Sequence, residues 1–390
     1  MKKKIIVLGV SKSVAEIDWI LPVLFELKKD YKIFTLFQRR DAYNTLKKDK
    51  ILFKLWNEIS DGYKIEDSID KVKRFLDQKF FFNKTINYFF GFNIKNYFKK
   101  NKINFSEIAV FFSEFGTYSP FISYIKKENV RPKIIHFPTS AFIFAKPRLN
   151  EKVNYSLGGD NLILCNDSDV DSWSKRIATE KIKVVGVPKY DLAWLNKLIP
   201  IIKKNKKPII LIAYSSRFKF EKEKNEKQLN EIMQVLSEFI NFKIIFKIHP
   251  RRNDPYYLKI LKKYKNVDFE ISKENLLTLA SKCDIFLHDR DSSVLLEGLI
   301  FKKPSIEYWE AVKLINRDIG VDIFKLNVRA NNSDELKKLI KLAEDSPSHE
   351  IWINQKNNFL LNCKKFKESA TIHCVKVIQE LLKEKNNTKK

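Results

Sequence analysis

Short, uninterrupted runs of apolar residues, separated by segments of helical spacing, limit most strongly what this chain can fold into. Residues 4–10 and 209–213 are two such runs, and each is typical of a strand buried on both faces. Between residues 224 and 240 the apolar side chains recur at the spacing of a helix that packs on a sheet. Strands that alternate with such helices predict parallel α/β structure.

The alternation occurs twice, which predicts two Rossmann-like α/β domains that face a cleft. A basic linker at residues 203–208 separates the two series. We assign the first domain to residues 1–200, the second to residues 201–365, and a C-terminal helix with a polar tail to residues 366–390. The predicted strands are 4–10, 32–37, 108–112, 133–137, 161–165 and 181–185 in the first domain, and 209–213, 242–248, 267–270, 284–288 and 304–308 in the second.

The composition excludes several classes of protein. Hydrophobic residues make up 44% of the chain, which is enough for more than one core and argues against intrinsic disorder. The four cysteines form no CxxC pair, so we expect neither a disulfide framework nor a zinc ribbon. No apolar run approaches the roughly 18 residues that cross a bilayer, and the run at 5–10 is too short for a signal peptide. We therefore expect a cytoplasmic protein.

The net charge of +27, from 74 basic and 47 acidic residues, suits a partner that carries negative charge. Anionic membrane surfaces and phosphorylated substrates are such partners. Nucleic acid is a further one, although the chain lacks an arginine-rich nucleic-acid motif. The alternative is that lysine accumulates on solvated faces, as it does in proteins encoded by AT-rich genomes. The sequence leaves this alternative open.

Polar residues that follow a predicted strand are candidates for ligand binding, because open α/β sheets bind ligands beyond the carboxyl ends of their strands. Lys247 lies in strand 242–248 and His249 follows it. Pro250 fixes its φ angle and prevents the strand from continuing. His249 and Arg251, with Arg252 beside them, would hold a phosphate group of the donor, and we assign Lys247 and Pro250 to the same donor site. The alternative is a basic surface turn.

A second polar group opens the predicted helix at 292–301. Ser292 and Ser293 would present hydroxyl and backbone N–H groups to an anion at the helix N-terminus. Glu297 follows one helical turn later, within reach of a ribose hydroxyl. The alternatives are simple capping of the helix by Asp291 or Ser292, and a structurally paired Glu297.

A third polar group follows the strand at 209–213. Tyr214, Ser215 and Ser216 would add hydrogen bonds to a donor phosphate. The alternative, equally compatible with these residues, is an ordinary turn.

The first predicted domain carries polar residues at corresponding places. Glu16 and Asp18 open its first helix, Glu114 follows one strand, and His136 and Ser140 lie at the end of another. A carboxylate at a strand end that faces a phosphate site would act as a general base toward a hydroxyl group. Glu114 is the leading candidate for this base, with Glu16 and Asp18 behind it. We assign His136 and Ser140 to the acceptor side.

The ordered set of motifs between residues 247 and 308 resembles the C-terminal domain of GT-B glycosyltransferases. The motifs are His249-Pro250, Asp291-Ser292-Ser293, Glu297 and Lys303-Pro304. The most similar groups are bacterial sialyltransferases, Kdo transferases and CDP-glycerol glycerophosphotransferases, all of which take part in surface polysaccharide synthesis. The bacterial UDP-N-acetylglucosamine 2-epimerases share the architecture and the Lys-Pro pattern.

The resemblance implies roles for individual residues. It would place His249, Ser292 and Ser293 on the donor phosphates and Glu297 near the ribose. Sialyltransferases also carry an acidic-acidic-glycine motif in the first domain, and its carboxylate serves as base. This chain retains only Glu114 and the glycine of that motif.

The expected function is therefore an inverting glycosyltransferase that needs no cofactor. It would move a sugar or a polyol phosphate from a CMP- or CDP-activated donor to a glycan or lipid-linked acceptor in capsule, lipopolysaccharide or glycolipid synthesis. We expect no metal, because the proposed phosphate site contains His249 and Arg251 rather than clustered carboxylates. One alternative is a UDP-N-acetylglucosamine 2-epimerase or UDP-sugar transferase, although the epimerases have a glycine pair in place of Ser292-Ser293. Another is a basic nucleic-acid-binding or scaffold protein.

We predict that the protein binds anionic membranes peripherally, because of its charge and because Lys and Phe are mixed within residues 66–100. Each basic residue near such a surface contributes roughly 1 kcal/mol of binding free energy. In a flotation assay at physiological salt, the protein should rise with anionic vesicles and remain behind with neutral ones. Recovery of all the protein in the dense fraction with both would identify the charge as compositional.

Overall fold

The computed structural model of the protein divides into two compact units. The first comprises Met1–Trp194 and Phe366–Lys390, and the second comprises Leu195–Lys365. The structure describes residues 3–10, 14–65, 95–114, 122, 125, 126, 128, 130–138, 159–174, 177–199, 207–214, 222–248, 255–289, 294–308, 324–363 and 369–387.

A parallel sheet forms the centre of the first unit. Among the residues that the structure describes, it has seven strands in the order β3-β2-β1-β4-β5-β6-β7. The strands are β1 (Ile5–Val10), β2 (Lys32–Phe37), β3 (Gly62–Ile65), β4 (Ile108–Glu114), β5 (Lys133–Phe137), β6 (Asn161–Leu164) and β7 (Ile182–Val184). All six residues of β1 are buried, as its continuous apolar sequence predicts. The direction of winding reverses between β1 and β4.

The second unit repeats this plan. Its described strands also pair in parallel, in the order β10-β9-β8-β11-β12-β13. They are β8 (Ile209–Tyr214), β9 (Lys243–Ile248), β10 (Phe269–Ile271), β11 (Ile285–Asp289), β12 (Ser305–Tyr308) and β13 (Val328–Ala330). Here the winding reverses between β8 and β11, so β11 in this unit corresponds to β4 in the first.

Helices connect the strands and cover the sheets, as parallel pairing requires. Those before the second sheet are α1 (Ala15–Leu27), α2 (Arg40–Lys48), α3 (Lys50–Ile59), α4 (Val170–Ser174) and α5 (Leu192–Leu198). Those that follow are α6 (Lys222–Leu236), α7 (Pro255–Leu261), α8 (Leu276–Lys282), α9 (Leu295–Leu299), α10 (Ser333–Asp345), α11 (Glu350–Cys363) and α12 (Ala370–Asn387). Short 3₁₀ helices occur at Phe105–Glu107, Asp167–Asp169, Thr179–Lys181 and Pro188–Tyr190.

Helix α9 lies unusually close to the second sheet. A Cβ atom added to Gly298 would lie 2.5 Å from the Ser305 Oγ and 2.9 Å from the Phe286 Cβ. No side chain fits in that space, so glycine allows the helix backbone to pack directly on β11 and β12. This close contact fixes the position of the first turn of α9 relative to the sheet.

The C-terminal helix α12 belongs to the first unit, where it packs against α1. The carboxylate of Asp191 caps its N-terminus. The Asp191 Oδ2 accepts hydrogen bonds of 2.6 Å from the Thr371 backbone N and the Ser369 Oγ, and its Oδ1 accepts one of 3.1 Å from the Ala370 N. A negative charge at a helix N-terminus is stabilising.

The structure confirms two parallel α/β domains and differs from the prediction at the sheet edges. Strands β3 and β13 were not predicted, because each has only three or four residues and mixes polar with apolar side chains. Residues 66–94 of the Lys- and Phe-rich stretch at 66–100 lie outside the described residues, and residues 95–100 are helical.

We predict that Asp191→Ala loosens α12, because three backbone and side-chain donors lose a charged acceptor. The expected cost is about 2 kcal/mol. Hydrogen exchange of the α12 amides should therefore accelerate roughly 30-fold, because each 1.4 kcal/mol corresponds to a factor of ten. Asp30→Ala, in an exposed turn of the same unit, is the control and should leave the exchange unchanged. Equal exchange in both variants would show that the cap is dispensable.

Candidate functional site

The carboxyl edge of the first sheet holds two buried polar side chains on neighbouring strands. Ser113 of β4 is in register with His136 of β5 and with Gly9 of β1, so all three face the same side of the sheet. Ser113 is 0% exposed and His136 is 2% exposed. Among the described residues, the Ser113 Oγ finds no hydrogen-bond partner, while the His136 ring interacts with the backbone of Ser113 and Glu114. A buried hydroxyl without a partner costs about 1–3 kcal/mol, which makes this edge a candidate ligand site.

Burial also determines the charge of His136. It lowers the pKa of the imidazole to about 4, so the ring is neutral near pH 7. A neutral imidazole has one nitrogen that donates a hydrogen bond and one that accepts, and so can meet a hydroxyl group in either sense.

The position of the His136 ring is set by the residues that precede β6. Asp160 accepts two hydrogen bonds of 2.7 Å from Arg131 and one of 2.8 Å from the Ile134 backbone N. These bonds hold Gly159 against the imidazole so closely that an added Cβ would lie 2.4 Å from the His136 Cδ2. Sequence reasoning missed this support, although a Gly-Asp pair just before a strand is a signal that could have revealed it.

Glu114 lies on the other side of the same sheet. Side chains alternate along a strand, so Glu114 of β4 and Phe137 of β5, which are in register, face away from His136. Trp19 of α1 stacks on Phe137 with ring centroids 5.7 Å apart, which places this side under α1. Glu114 is 8% exposed at the strand end. The carboxylate and the imidazole therefore flank the edge from opposite faces.

The two further carboxylates predicted in this domain belong to α1. Glu16 is fully buried in the first turn of the helix. Asp18 forms an ion pair with Lys189, with 3.5 Å between the Oδ2 and the Nζ, and both side chains are largely buried. This pair joins α1 to the segment before α5, which gives Asp18 a structural contact of its own.

The second sheet has a corresponding polar row at its carboxyl edge. His288 of β11 is in register with Glu307 of β12, which is in register with Arg329 of β13. The Arg329 Nε donates a hydrogen bond of 2.6 Å to the Glu307 Oε2, and Glu307 is 0% exposed. Burial lowers the pKa of His288 to about 4. The His288 ring interacts with the backbone of Asp289.

This row was not predicted from the sequence. Its signal was a histidine and a glutamate inside short strands that are otherwise apolar. The row lies on the side covered by α9, since the His288 and Phe286 rings are 6.1 Å apart and Gly298 of α9 packs on Phe286.

Three residues predicted for donor binding are described in the second unit. Glu297 is 4% exposed on α9, just before the close contact at Gly298. The Tyr214 side chain packs in the core, so only its backbone is left for a ligand. Lys247 donates a hydrogen bond from its Nζ to the backbone oxygen of Glu274.

The remaining predicted site residues lie outside the described residues. They are Ser140, Ser215, Ser216, His249, Pro250, Arg251, Arg252, Ser292 and Ser293. The ends of the flanking elements are described: β9 ends at Ile248, directly before His249, and α9 begins at Leu295, two residues after Ser293. The assignment of Ser140 to the acceptor, and of the other residues to the donor, stays a prediction.

The described residues contain neither a cluster of potential metal ligands nor a helix that could span a membrane. There, no group of three or more His, Cys, Asp or Glu side chains is arranged to hold a metal ion. No helix in the same part of the chain combines the length and apolar character needed to span a membrane.

Comparison of the fold with solved structures shows what this chain is similar to. The UDP-GlcNAc 2-epimerase from Neisseria meningitidis bound to UDP-GlcNAc has a TM-score of 0.61 at 14% identity, over 97% of this chain and 100% of that one. A glycosyltransferase from Rickettsia africae has a TM-score of 0.53 at 15% identity, over 98% and 99%. The wall teichoic acid polymerase TagF, soaked with CDP-glycerol, has a TM-score of 0.55 at 15% identity, over 99% and 90%.

These similarities extend over almost the whole chain and show its fold, which is of the GT-B type. Neither a protein-family model nor a curated protein sequence matches the chain. The resemblance to GT-B enzymes is thereby supported at the level of the fold, while the similarity to sialyltransferases and Kdo transferases remains a prediction.

We predict that acidification destabilises the first unit, because His136 is buried and neutral. Its pKa is about 4 in the folded protein and about 6.5 in an unfolded chain, so the unfolded state takes up the proton first as the pH falls. Stability should decrease between pH 6.5 and 4, by about 1.4 kcal/mol for each pKa unit. Amide hydrogen exchange of β4 and β5 at pH 7 and pH 4.5 measures this loss, after the exchange rates are corrected for the pH dependence of intrinsic amide exchange.

The variant His136→Gln should lose much of this pH dependence. His349→Gln, an exposed histidine of the second unit, is the matched control and should retain it. The same slope in both variants would assign the acid sensitivity to other groups.

Proposed function

We propose that this protein is a glycosyltransferase of surface polysaccharide or glycolipid synthesis that uses a cytidine-nucleotide donor. It transfers a sugar, or a polyol phosphate, from a CMP- or CDP-activated donor to an acceptor hydroxyl. The observation that carries the proposal is the cluster of buried polar groups at the carboxyl edges of both sheets, where open α/β folds bind their ligands. The GT-B fold, found in neighbours that bind UDP-GlcNAc or CDP-glycerol, supports a nucleotide-activated substrate.

The first unit would bind the acceptor. Glu114 would take the proton from the acceptor hydroxyl as that oxygen attacks the anomeric carbon. His136, held neutral by burial, would orient the same hydroxyl group, and Ser113 and Ser140 would hydrogen-bond the rest of the acceptor. An orienting group on one face of the strand edge and a base on the other suit a hydroxyl that lies across that edge.

The second unit would bind the donor. His249, Arg251, Ser292 and Ser293 would surround its phosphate, and the bond from the anomeric carbon to the phosphate oxygen would break with the electron pair leaving on the nucleotide. Fixed donors aimed at that oxygen stabilise the charge that develops there. Glu297, buried on α9, would hydrogen-bond the ribose. One direct displacement of this kind inverts the anomeric centre and uses neither a metal nor a cofactor.

A UDP-N-acetylglucosamine 2-epimerase activity is the second candidate, because the same fold comparison includes epimerases with UDP or UDP-GlcNAc bound. The comparisons support the two activities equally. The sequence favours transfer, since Ser292-Ser293 stand where epimerases have two glycines. Incubation with UDP-GlcNAc or a CMP-sugar alone separates the two activities, because only an epimerase converts its substrate without an acceptor.

A basic nucleic-acid-binding or scaffold protein remains the alternative from another class. Its signature would be tight binding to a random DNA duplex that weakens steeply as salt increases. The described residues offer it less support than the buried polar groups at the sheet edges offer an enzyme.

We predict that cytidine nucleotides stabilise the protein more than other nucleotides. Ligand at 100 times its Kd adds about 2.7 kcal/mol to the stability of the folded state. A thermal-shift series with CMP, CDP, UDP, GDP and ADP should therefore give the largest Tm increase for CMP or CDP. Ser292→Ala combined with Ser293→Ala should remove that increase, whereas Ser346→Ala, at an exposed helix end, should not. A preference for UDP would favour the epimerase or a UDP-sugar transferase.

Turnover and nucleotide binding should respond to different variants. Glu114→Gln should lower turnover by about 10²–10⁴-fold, as is typical of a lost general base, and leave the thermal shift intact. Glu58→Gln, an exposed carboxylate of the same unit, is its control. Full turnover in Glu114→Gln would show that another group acts as the base.

A further inference from the structure

An aromatic cluster lies at the outer edge of the first sheet, away from the strand-order reversal. It consists of Tyr43 of α2, Phe53 and Trp56 of α3, Tyr63 of β3 and Phe37 of β2. Tyr43 and Tyr63 stack with ring centroids 5.1 Å apart and an angle of 21° between their planes. Trp56 contacts Tyr63 at 5.3 Å and Phe53 at 5.8 Å.

The cluster has a buried base and an accessible top. Trp56 and Phe37 are fully buried, and the Trp56 Nε1 donates a hydrogen bond of 3.0 Å to the Thr35 Oγ1. Tyr63 is 43% exposed, and Tyr43 and Phe53 are half-buried. The accessible rings therefore rest on a rigid support. We call Tyr43, Phe53 and Tyr63 the tyrosine platform.

The two tyrosine hydroxyls add hydrogen-bonding capacity to the platform. Their oxygens are 3.0 Å apart, so one hydroxyl donates to the other and a second proton is left to donate outward. The hydrogen bond to Tyr63, with a smaller effect of burial, raises the pKa of Tyr43 to about 12. The Tyr43 hydroxyl therefore stays protonated at any physiological pH.

Positive charge surrounds the platform. The Lys47 Nζ lies 5.8 Å from the centre of the Tyr43 ring, and Lys50 and Lys54 are exposed on α3 beside Phe53. Residues 39–59 contain six Lys or Arg and three Asp or Glu.

Two of these three acidic groups are already engaged. Asp41 pairs with Arg39 at 3.2 Å, and the Asp49 Oδ1 accepts a hydrogen bond from the Leu52 backbone N as the cap of α3. The charge left to face a ligand is therefore basic.

We propose that the tyrosine platform binds a negatively charged glycan, which is the acceptor or the growing product of the transfer reaction proposed above. The faces of sugar rings present C–H groups, which are attracted to the negative faces of aromatic rings. Sugar hydroxyls match the tyrosine hydroxyl pair, and carboxylates or phosphates on the glycan match the lysines. The identification of the glycan as the acceptor rests on the proposed function. Glycan binding itself rests only on the residues of the platform.

The chemistry of the exposed surface suits a hydrated glycan better than the interior of a bilayer. The accessible ends of Tyr43 and Tyr63 carry hydroxyls, whereas the face of an amphipathic helix that enters the acyl region is made of side chains such as Leu, Phe and Trp. A single-stranded nucleic acid also combines π faces with negative charge, and it serves as the competing ligand in the test.

The test is calorimetric titration of the full chain with octagalacturonate as the anionic glycan. The neutral glycan malto-octaose and the single-stranded octamer of thymidylate are the comparison ligands. We expect octagalacturonate to bind at least about tenfold more tightly than either. The double variant Tyr43→Leu with Tyr63→Leu should weaken that binding about tenfold or more, because it keeps the apolar contacts and removes the aromatic faces and hydroxyls.

Further variants separate the contributions of the rings, the hydroxyls and the charge, and show whether a loss of binding comes from misfolding. Tyr63→Phe keeps the ring and should weaken binding only a few-fold, and Lys47→Gln should weaken octagalacturonate binding without affecting malto-octaose. Tyr31→Leu, a half-buried tyrosine elsewhere in the unit, is the control and should bind as the unchanged protein does. Tighter binding of the thymidylate octamer, or equal binding of octagalacturonate by all variants, would overturn the proposal.

The outcome is independent of the nucleotide experiments. If cytidine nucleotides fail to bind while the tyrosine variants still lose octagalacturonate affinity, glycan binding by the platform is supported and the proposed transfer reaction is contradicted. If nucleotides bind as expected and the variants keep full affinity, the transferase stands without this glycan site.

Discussion

Parallel pairing of the strands is the constraint on which the rest of this structure depends. Each parallel strand must return to the starting side through a crossover, so the carboxyl ends of all strands in a sheet meet at one edge. Residues far apart in sequence, such as Ser113 and His136 in one unit or Glu307 and Arg329 in the other, are thereby placed side by side. The placement of these polar side chains at one edge follows from that geometry and not from any local motif.

A buried polar group at these edges reduces stability wherever its hydrogen bonding is incomplete. A hydroxyl without a hydrogen bond, such as that of Ser113, costs about 1–3 kcal/mol, and domains have only about 5–15 kcal/mol of net stability. The surrounding structure holds these polar groups in place. Arg131 and Asp160 hold Gly159 against the His136 ring, and Gly298 lets α9 pack closely on Phe286. Such specific support would be unnecessary for a polar residue that had merely drifted into the core.

Sequence reasoning succeeded where a local pattern of apolar residues defines a strand or helix. It failed where a contact joins residues that are distant in the sequence. The continuous apolar runs of β1 and β8 made two parallel sheets predictable, and Glu114 could be placed at a strand end from its position alone. The face that each side chain occupies depends on strand register, so the opposition of Glu114 and His136 could not be foreseen. The Asp191 cap on α12 was equally hidden, because its partners are about 180 residues away.

The two units also show how one topology can carry two chemistries. Strand β4 in the first sheet and β11 in the second both follow the reversal of winding, and both end in a polar residue and a buried carboxylate, Ser113-Glu114 and His288-Asp289. What differs is the neighbour in register. His136 beside Ser113 is a neutral group, whereas Glu307 beside His288 is bound by Arg329, which makes the second edge more strongly charged. An edge with neutral partners would suit an uncharged hydroxyl, in keeping with the acceptor role proposed above for the first unit, whereas the guanidinium at the second edge is already paired with the buried Glu307 carboxylate.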